Sequence, residues 1–249
     1  MKIALCLHGQ PRFFDAGHKY LNNIFLSKYN VDVFAHFWYD ENSEEKDYIS
    51  APWLDGGRAG KPVKDLPKKL VDLYKPITYF YEPQIQFNIP RDYSSFGSMS
   101  PPQTLFSYFY SVKHSSLLRE GYERVHNFVY DWVVFARYDY AITTNIDFKQ
   151  LNNNNFYFPD DVTPNEHNKE VINNGFVFSS SKNMTDYSRV FDNIDRYWVN
   201  DQVRMGAECL SGWHMKVACV GAKSPIKIQY AYIRQHGAGY NEINYKDAL

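Results

Sequence analysis

The chain is 249 residues long, one large domain or two small ones, and folding it as a single globule would bury ~31,000 Å² of unfolded surface, a core that needs no disulfides. Its 27 basic residues nearly cancel 28 acidic ones for a formal charge of −1, which removes the basic footprint of a dedicated nucleic-acid binder but leaves room for a locally held phosphate. With 44% hydrophobic and 22% charged residues, 13 Gly and 12 Pro, the composition excludes disordered and collagen-like chains.

The elements follow in order. Lys2 to Leu7 is an apolar run ending at Gly9, Gln10, Pro11 and Arg12, which predicts a buried strand closing in a turn. A helical stretch near Ala16–Lys28 precedes the β-forming run from Val31 to Trp38. Residues 40–69, with Asp55-Gly56-Gly57-Arg58, read as a surface loop, Ile77–Tyr81 as a third strand, and 83–100 as irregular up to a Ser-Pro helix start at Ser100-Pro101. Pro102 to about Asn127 is the longest helix candidate, with Leu105, Phe106, Phe109, Val112, Ser116 and Leu117 spaced to form one face. Tyr130 to Tyr140 is one strand-forming run, followed by short strands at Phe156–Pro159 and Gly175–Ser179. Helices near Lys182–Asp195 and Asp201–Lys216, a short strand at Ala218–Val220 and a last strand near Ile226–Ile233 complete the chain. Strands alternating with helices, then a mixed second half, predict an α/β fold with a twisted, mostly parallel central sheet flanked by helices.

Cys6, Cys209 and Cys219 cannot all pair and have no zinc-like spacing, which points to a reducing, cytoplasmic compartment. The apolar run before His8 is too short for a signal-peptide core, and no stretch reaches the roughly 18 apolar residues of a spanning helix, so no integral membrane segment is expected. The unusual figure is 18% aromatic residues: such rings suit stacking on sugars and bases, and equally suit core packing.

The sharpest chemical feature is Arg137-Tyr138-Asp139 at the end of the apolar run WVVFA, because open α/β sheets place their ligands at the carboxyl edge. A carboxylate there can hold a divalent cation shared with a diphosphate, or it can pair with Arg137 and solvate the strand end. Asp201 and Glu208, seven residues apart, would share one face of a helix and are candidates for a general base, with Asp160 and Asp161 second candidates. Tyr108 and Tyr110 can line a sugar pocket or pack in the core, and His114, Trp213 and His214 read as packing. Hydrolase and kinase motifs are absent.

ALCLHGQPR, DVFAHFW, the passage from SPPQTLFSYFY to VVFARYDY, and GFVFSSSKNMTDYS resemble glycosyltransferases of the GT-A fold. More narrowly they resemble viral and bacterial sugar transferases with an R-x-D version of the DxD motif. The resemblance covers most of residues 1–235 and implies a single domain over 1–249, with a nucleotide-binding half at about 1–140 and an acceptor-binding half at about 141–249. It implies a nucleotide-diphosphate sugar as donor, a glycan or other hydroxyl as acceptor, and Mn²⁺ or Mg²⁺ as cofactor. His8, Gly9, Gln10 and Arg12 match the turn beside the nucleotide, with His8 standing where similar sequences carry Ser; Asp32, His36 and Trp38 match the second-strand signature. Asp139 matches the metal-binding acid, Arg137 replaces the first acid of the motif and can instead contact phosphate, and His236 in the turn Arg234–Gly239 is the candidate second metal ligand. Glu208 matches an acid that similar sequences carry near the start of the penultimate helix, which makes it the first choice for the general base. A catalytically inactive carbohydrate- or nucleotide-binding protein with the same fold is the alternative; a nucleotidyltransferase would need a Gly-rich, basic first loop that HGQPR does not supply.

Overall fold

The computed structural model describes residues 1–43, 59–89, 93, 101–162, 169–236 and 241–249. Its first half alternates as expected: β1 (Ile3–His8), α1 (Phe14–Leu21), β2 (Val31–Trp38), α2 (Leu66–Tyr74), β3 (Thr78–Glu82), α3 (Pro102–His126) and β4 (Trp132–Arg137). There follow β5 (Tyr140–Ile142), β6 (Phe156–Pro159), β7 (Phe176–Ser179), α4 (Ser181–Tyr187), α5 (Ile194–Val199), α6 (Ala207–Ala218), β8 (Lys223–Ile226), β9 (Tyr230–Arg234), β10 (Glu242–Asn244) and α7 (Tyr245–Ala248).

Seven strands form the central sheet in the order β3-β2-β1-β4-β7-β6-β8. Its pairs are parallel except for those that β7 makes with β4 and β6. Alternation along the strands builds a core on each face. Leu5, Leu7, Val33, Phe37 and Val134 face α1 and α2, whereas Cys6, Phe34, Val133 and Phe135 face α3, α4 and α6. A second sheet, β10-β9-β5, packs beside α1 and α7. No described helix is long and apolar enough to cross a membrane.

Several boundaries differ from expectation for physical reasons. The Tyr130–Tyr140 run divides: β4 stays in the central sheet, Tyr138 and Asp139 turn, and β5 pairs with β9 in the second sheet. Tyr138 makes the division by plugging the core edge-on against Phe37 and Tyr74. The Ile226–Ile233 run divides between the two sheets in the same way, and Ala218 ends α6 rather than opening a strand. The helix expected over Asp201–Lys216 starts at Ala207, so Asp201 lies outside it and shares no helical face with Glu208. The stretch near Ala16–Lys28 is an α-helix widening into a π-turn at Asn22–Leu26, and Lys182–Asp195 passes through a 3₁₀ segment at Ser188–Asn193. Helix α2 occupies the end of what reads as a surface loop; Asp55–Arg58 and Ser98–Ser100 lie outside the described residues. On α3, Leu117 points outward and the buried stripe is partly polar, because fully buried Arg119 donates to Glu123 (2.5 Å), Ser116 (2.9 Å) and Thr185 (2.7 Å).

One close approach fixes where β4 ends. Gly17 of α1 lies so near the turn that a Cβ there would fall 1.8 Å from the Tyr138 carbonyl oxygen. Gly17→Ala is therefore expected to cost ~3 kcal/mol in urea unfolding, since backbone must move to admit the methyl group. An unchanged midpoint would show that α1 does not hold the turn.

Candidate active site

The chain runs outward from β1 through β2 to β3, then crosses back to place β4 on the other side of β1. That reversal between β1 and β4 leaves a crevice at their carboxyl ends, where open α/β sheets bind ligands. A cavity of about 600 Å³ occupies it. Its wall includes His8, Gly9, Gln10 and Arg12 after β1, Trp38 ending β2, and Arg137 and Asp139 at the end of β4. Tyr108 of α3, Glu208 in the first turn of α6, and Tyr232 and Arg234 of β9 complete the parts with evident chemistry.

Asp139 is 2% exposed. Arg137 donates to it bidentately, Nε to Oδ1 at 2.8 Å and Nη2 to Oδ2 at 2.7 Å, and Arg234 Nη1 donates to Oδ2 at 2.6 Å. Arg234 reaches it because β5 pairs antiparallel with β9, Tyr140 opposite Tyr232, and because Ile233 N–H donates to the Asp139 carbonyl at 3.0 Å. Tyr232 lies under both guanidiniums, 5.1 Å from that of Arg137 and 4.9 Å from that of Arg234. Burial alone would raise the Asp139 pKa; the charges of Arg137 and then Arg234 outweigh it and hold the carboxyl well below the usual range.

The turn after β1 is held from behind by a buried polar chain. Ser111 Oγ of α3 accepts the Gly9 N–H at 2.6 Å and lies 2.7 Å from His36 Nδ1, while His36 Nε2 lies 3.2 Å from Glu82 Oε1. These partners assign one tautomer: Nε2–H donates to Glu82, the Ser111 hydroxyl donates to Nδ1, and its oxygen receives Gly9. His36 is thus fully buried behind the wall rather than in it, and acts on the cavity by positioning Gly9, whose φ of 95° a residue with a side chain would resist. His8 is 1% exposed, edge-on to Tyr108, with Nδ1 at 3.5 Å from the Cys6 carbonyl and no partner for Nε2 among the described residues.

The remaining expected residues are placed as follows. Asp201 takes a hydrogen bond from Trp213 Nε1 at 2.9 Å and does not line the cavity. His236 is exposed, after β9 and off the cavity wall, and Gly237–Gly239 lie outside the described residues. Asp161 is bonded by Asn173 and Tyr230, Asp32 by Tyr130, and His214 by Tyr197; His114 stacks on Tyr110. Of the two tyrosines on α3, Tyr108 faces the cavity, its hydroxyl tethered to the Asn174 carbonyl at 2.8 Å. Glu208, half-buried, makes no side-chain hydrogen bond or ion pair with any described residue. Its charge helps raise the hydroxyl pKa values of Tyr108 and Tyr232, for each of which burial is the largest cause. Sequence reasoning missed Tyr232 and undervalued Arg234 beside His236; no local pattern pairs them with a residue 95 positions earlier.

The donors do not fit Mn²⁺ or Mg²⁺. Both oxygens of Asp139 already accept from guanidiniums, a cation there would face two positive charges, and no group of three His, Cys, Asp or Glu side chains among the described residues is placed to hold a metal.

Burial pushes the imidazoles of His8 and His36 down to about 3. The unfolded chain therefore takes up their protons below about 6.5 while the folded chain does not, so stability is complete above that pH and declines toward 3. Denaturant titrations between pH 6.5 and 4 should show a slope approaching ~1.4 kcal/mol per pH unit for each imidazole, reduced by one proton in His36→Gln. The same slope in wild type and variant would mean that His36 is charged in the fold.

No protein-family model matches the chain, and no curated protein matches it. Among solved structures it is similar to a candidate nucleotide-diphospho-sugar transferase from Desulfovibrio desulfuricans G20, at 11% identity and a TM-score of 0.43, over 90% of this chain and 79% of that one.

Proposed function

We propose that the chain is a GT-A-type glycosyltransferase that moves a sugar from a nucleotide-diphosphate sugar to an acceptor hydroxyl. The observation that carries this reading is a carboxylate without a side-chain partner among the described residues, Glu208, in the same cavity as the guanidinium-bearing ends of β4 and β9. Guanidiniums on the wall suit a leaving diphosphate, and a carboxylate with no side-chain partner among the described residues suits a general base. The rings of Trp38, Tyr108 and Tyr232 supply the flat surfaces that sugars and bases stack upon.

In this reading residues from the first half of the chain, Arg12, Arg137 and Asp139, face the donor, and Glu208 from the second half faces the acceptor. Glu208 takes the proton of the acceptor hydroxyl as its oxygen bonds to the anomeric carbon. The bond from that carbon to the diphosphate oxygen breaks, and the nucleoside diphosphate leaves with the electron pair. Such a displacement inverts the anomeric centre.

The second reading, a binding protein without turnover, is favoured by one feature, the complete engagement of Asp139 by arginines. Release of a nucleoside diphosphate from a panel of nucleotide sugars and glycan acceptors separates the two. Turnover is expected in the wild type, with a loss of at least ~100-fold in kcat for Glu208→Gln and little change in nucleotide affinity. Full activity in that variant would remove Glu208 as the base, and no release from any donor would leave the binding protein.

A further inference from the structure

We infer that the diphosphate is neutralised by the guanidinium pair of Arg137 and Arg234, with Asp139 as the residue that positions both, and that no divalent cation takes part in binding it. This rests on the reading of the cavity as a nucleotide-diphosphate site and departs from the metal that the family resemblance implies.

The geometry carries the inference. A guanidinium has five N–H donors. Arg137 spends one on Nε and one on Nη2 in its bidentate grip on Asp139, which leaves Nη1 wholly unspent. Arg234 spends Nη1 on Asp139 and on the Ile233 carbonyl at 2.8 Å, which leaves Nη2 and Nε. Its Nε is buried without a hydrogen-bond partner among the described residues and makes only a long ion pair, 3.8 Å, with Glu242 Oε1. Neither Arg137 Nη1 nor Arg234 Nη2 is among the buried atoms that lack a partner, so these are the donors that the two guanidiniums offer at the cavity wall.

Charge and shape agree. Asp139 neutralises one of the two guanidiniums, so the triad taken by itself keeps a positive charge; Glu242 makes a long ion pair with Arg234 Nε, and Arg12 on the same wall acts on Asp139 as a third positive charge. Tyr232, set beneath both guanidiniums, and the carboxylate between them limit the rotation of the two forks, and a fixed planar fork binds phosphate oxygens in pairs. A cation would have to displace an arginine from Asp139 to gain a single carboxylate, whereas a phosphate can accept from the remaining Nη donors with the triad intact.

The test measures affinity for UDP, GDP, CDP, ADP and dTDP by calorimetry, in excess EDTA and in Mn²⁺. At least one nucleotide is expected to bind equally well, within threefold, under both conditions. Arg137→Gln and Arg234→Gln should each weaken it 10- to 100-fold in EDTA, and Arg137→Lys should recover only part of the loss because an ammonium lacks the fork. Asp139→Asn separates positioning from metal ligation: it should weaken binding by less than either glutamine variant, with no change in the effect of Mn²⁺. Thermal melts of each variant establish that it is folded. Binding that needs Mn²⁺, and loses that need in Asp139→Asn, overturns the inference while the transferase reading stands. No binding of any nucleotide in either condition overturns both.

Discussion

A carboxylate with almost no contact to water sits between two guanidiniums supplied by different sheets. Taking a carboxylate and a guanidinium out of solvent is costly unless each finds opposite charge and hydrogen bonds at short range, and Asp139 meets that condition with three donors at 2.6 to 2.8 Å, from buried Arg234 and part-exposed Arg137. The pairing ties the end of β4 in the central sheet to the end of β9 in the second sheet, so the shape of the cavity and its charge come from one set of contacts. Removing Asp139 would leave both guanidiniums without the carboxylate between them, whereas removing one arginine leaves Asp139 paired with the other.

The aromatic residues divide between two jobs, and their positions decide which. Phe34, Phe37 and Phe135 alternate along strands and are buried on the two faces of the sheet. Tyr138 is a plug that ends the fourth strand and thereby throws Asp139 toward the cavity. Tyr232 is a platform beneath the guanidiniums, and Tyr108 is tethered by its hydroxyl to the backbone at Asn174 while its ring meets His8. The second support is polar: Glu82, His36 and Ser111 form a fully satisfied buried chain ending on the Gly9 amide, which holds the first-strand turn open where the crevice begins.

Much of this was legible in the residues themselves. The first two strands, the 25-residue helix and the RYD strand end follow from apolar periodicity and turn residues, because in them local preference and tertiary demand agree. Glu208 was legible as an acid of interest from its match to similar sequences; the helical face that it was expected to share with Asp201 fails because the helix begins at Ala207. The splitting of Tyr130–Tyr140 and Ile226–Ile233 between two sheets was not legible, since a continuous β-forming run carries no local mark of where it changes partners. Arg234 was visible only as a neighbour of His236; its importance arises from a pairing across 95 residues.

The amino-acid order by itself determined the α/β class, the near-neutral net charge, and an acid delivered to the carboxyl edge of a central strand, because these depend on spacing and composition alone. What the acid holds was decided by tertiary structure. Asp139 faces arginine rather than a free cation site because β9 lies against β5 and brings a second guanidinium within hydrogen-bond reach. At such short range a fixed opposite charge in a buried site dominates the electrostatics of any carboxylate, whatever motif it belongs to.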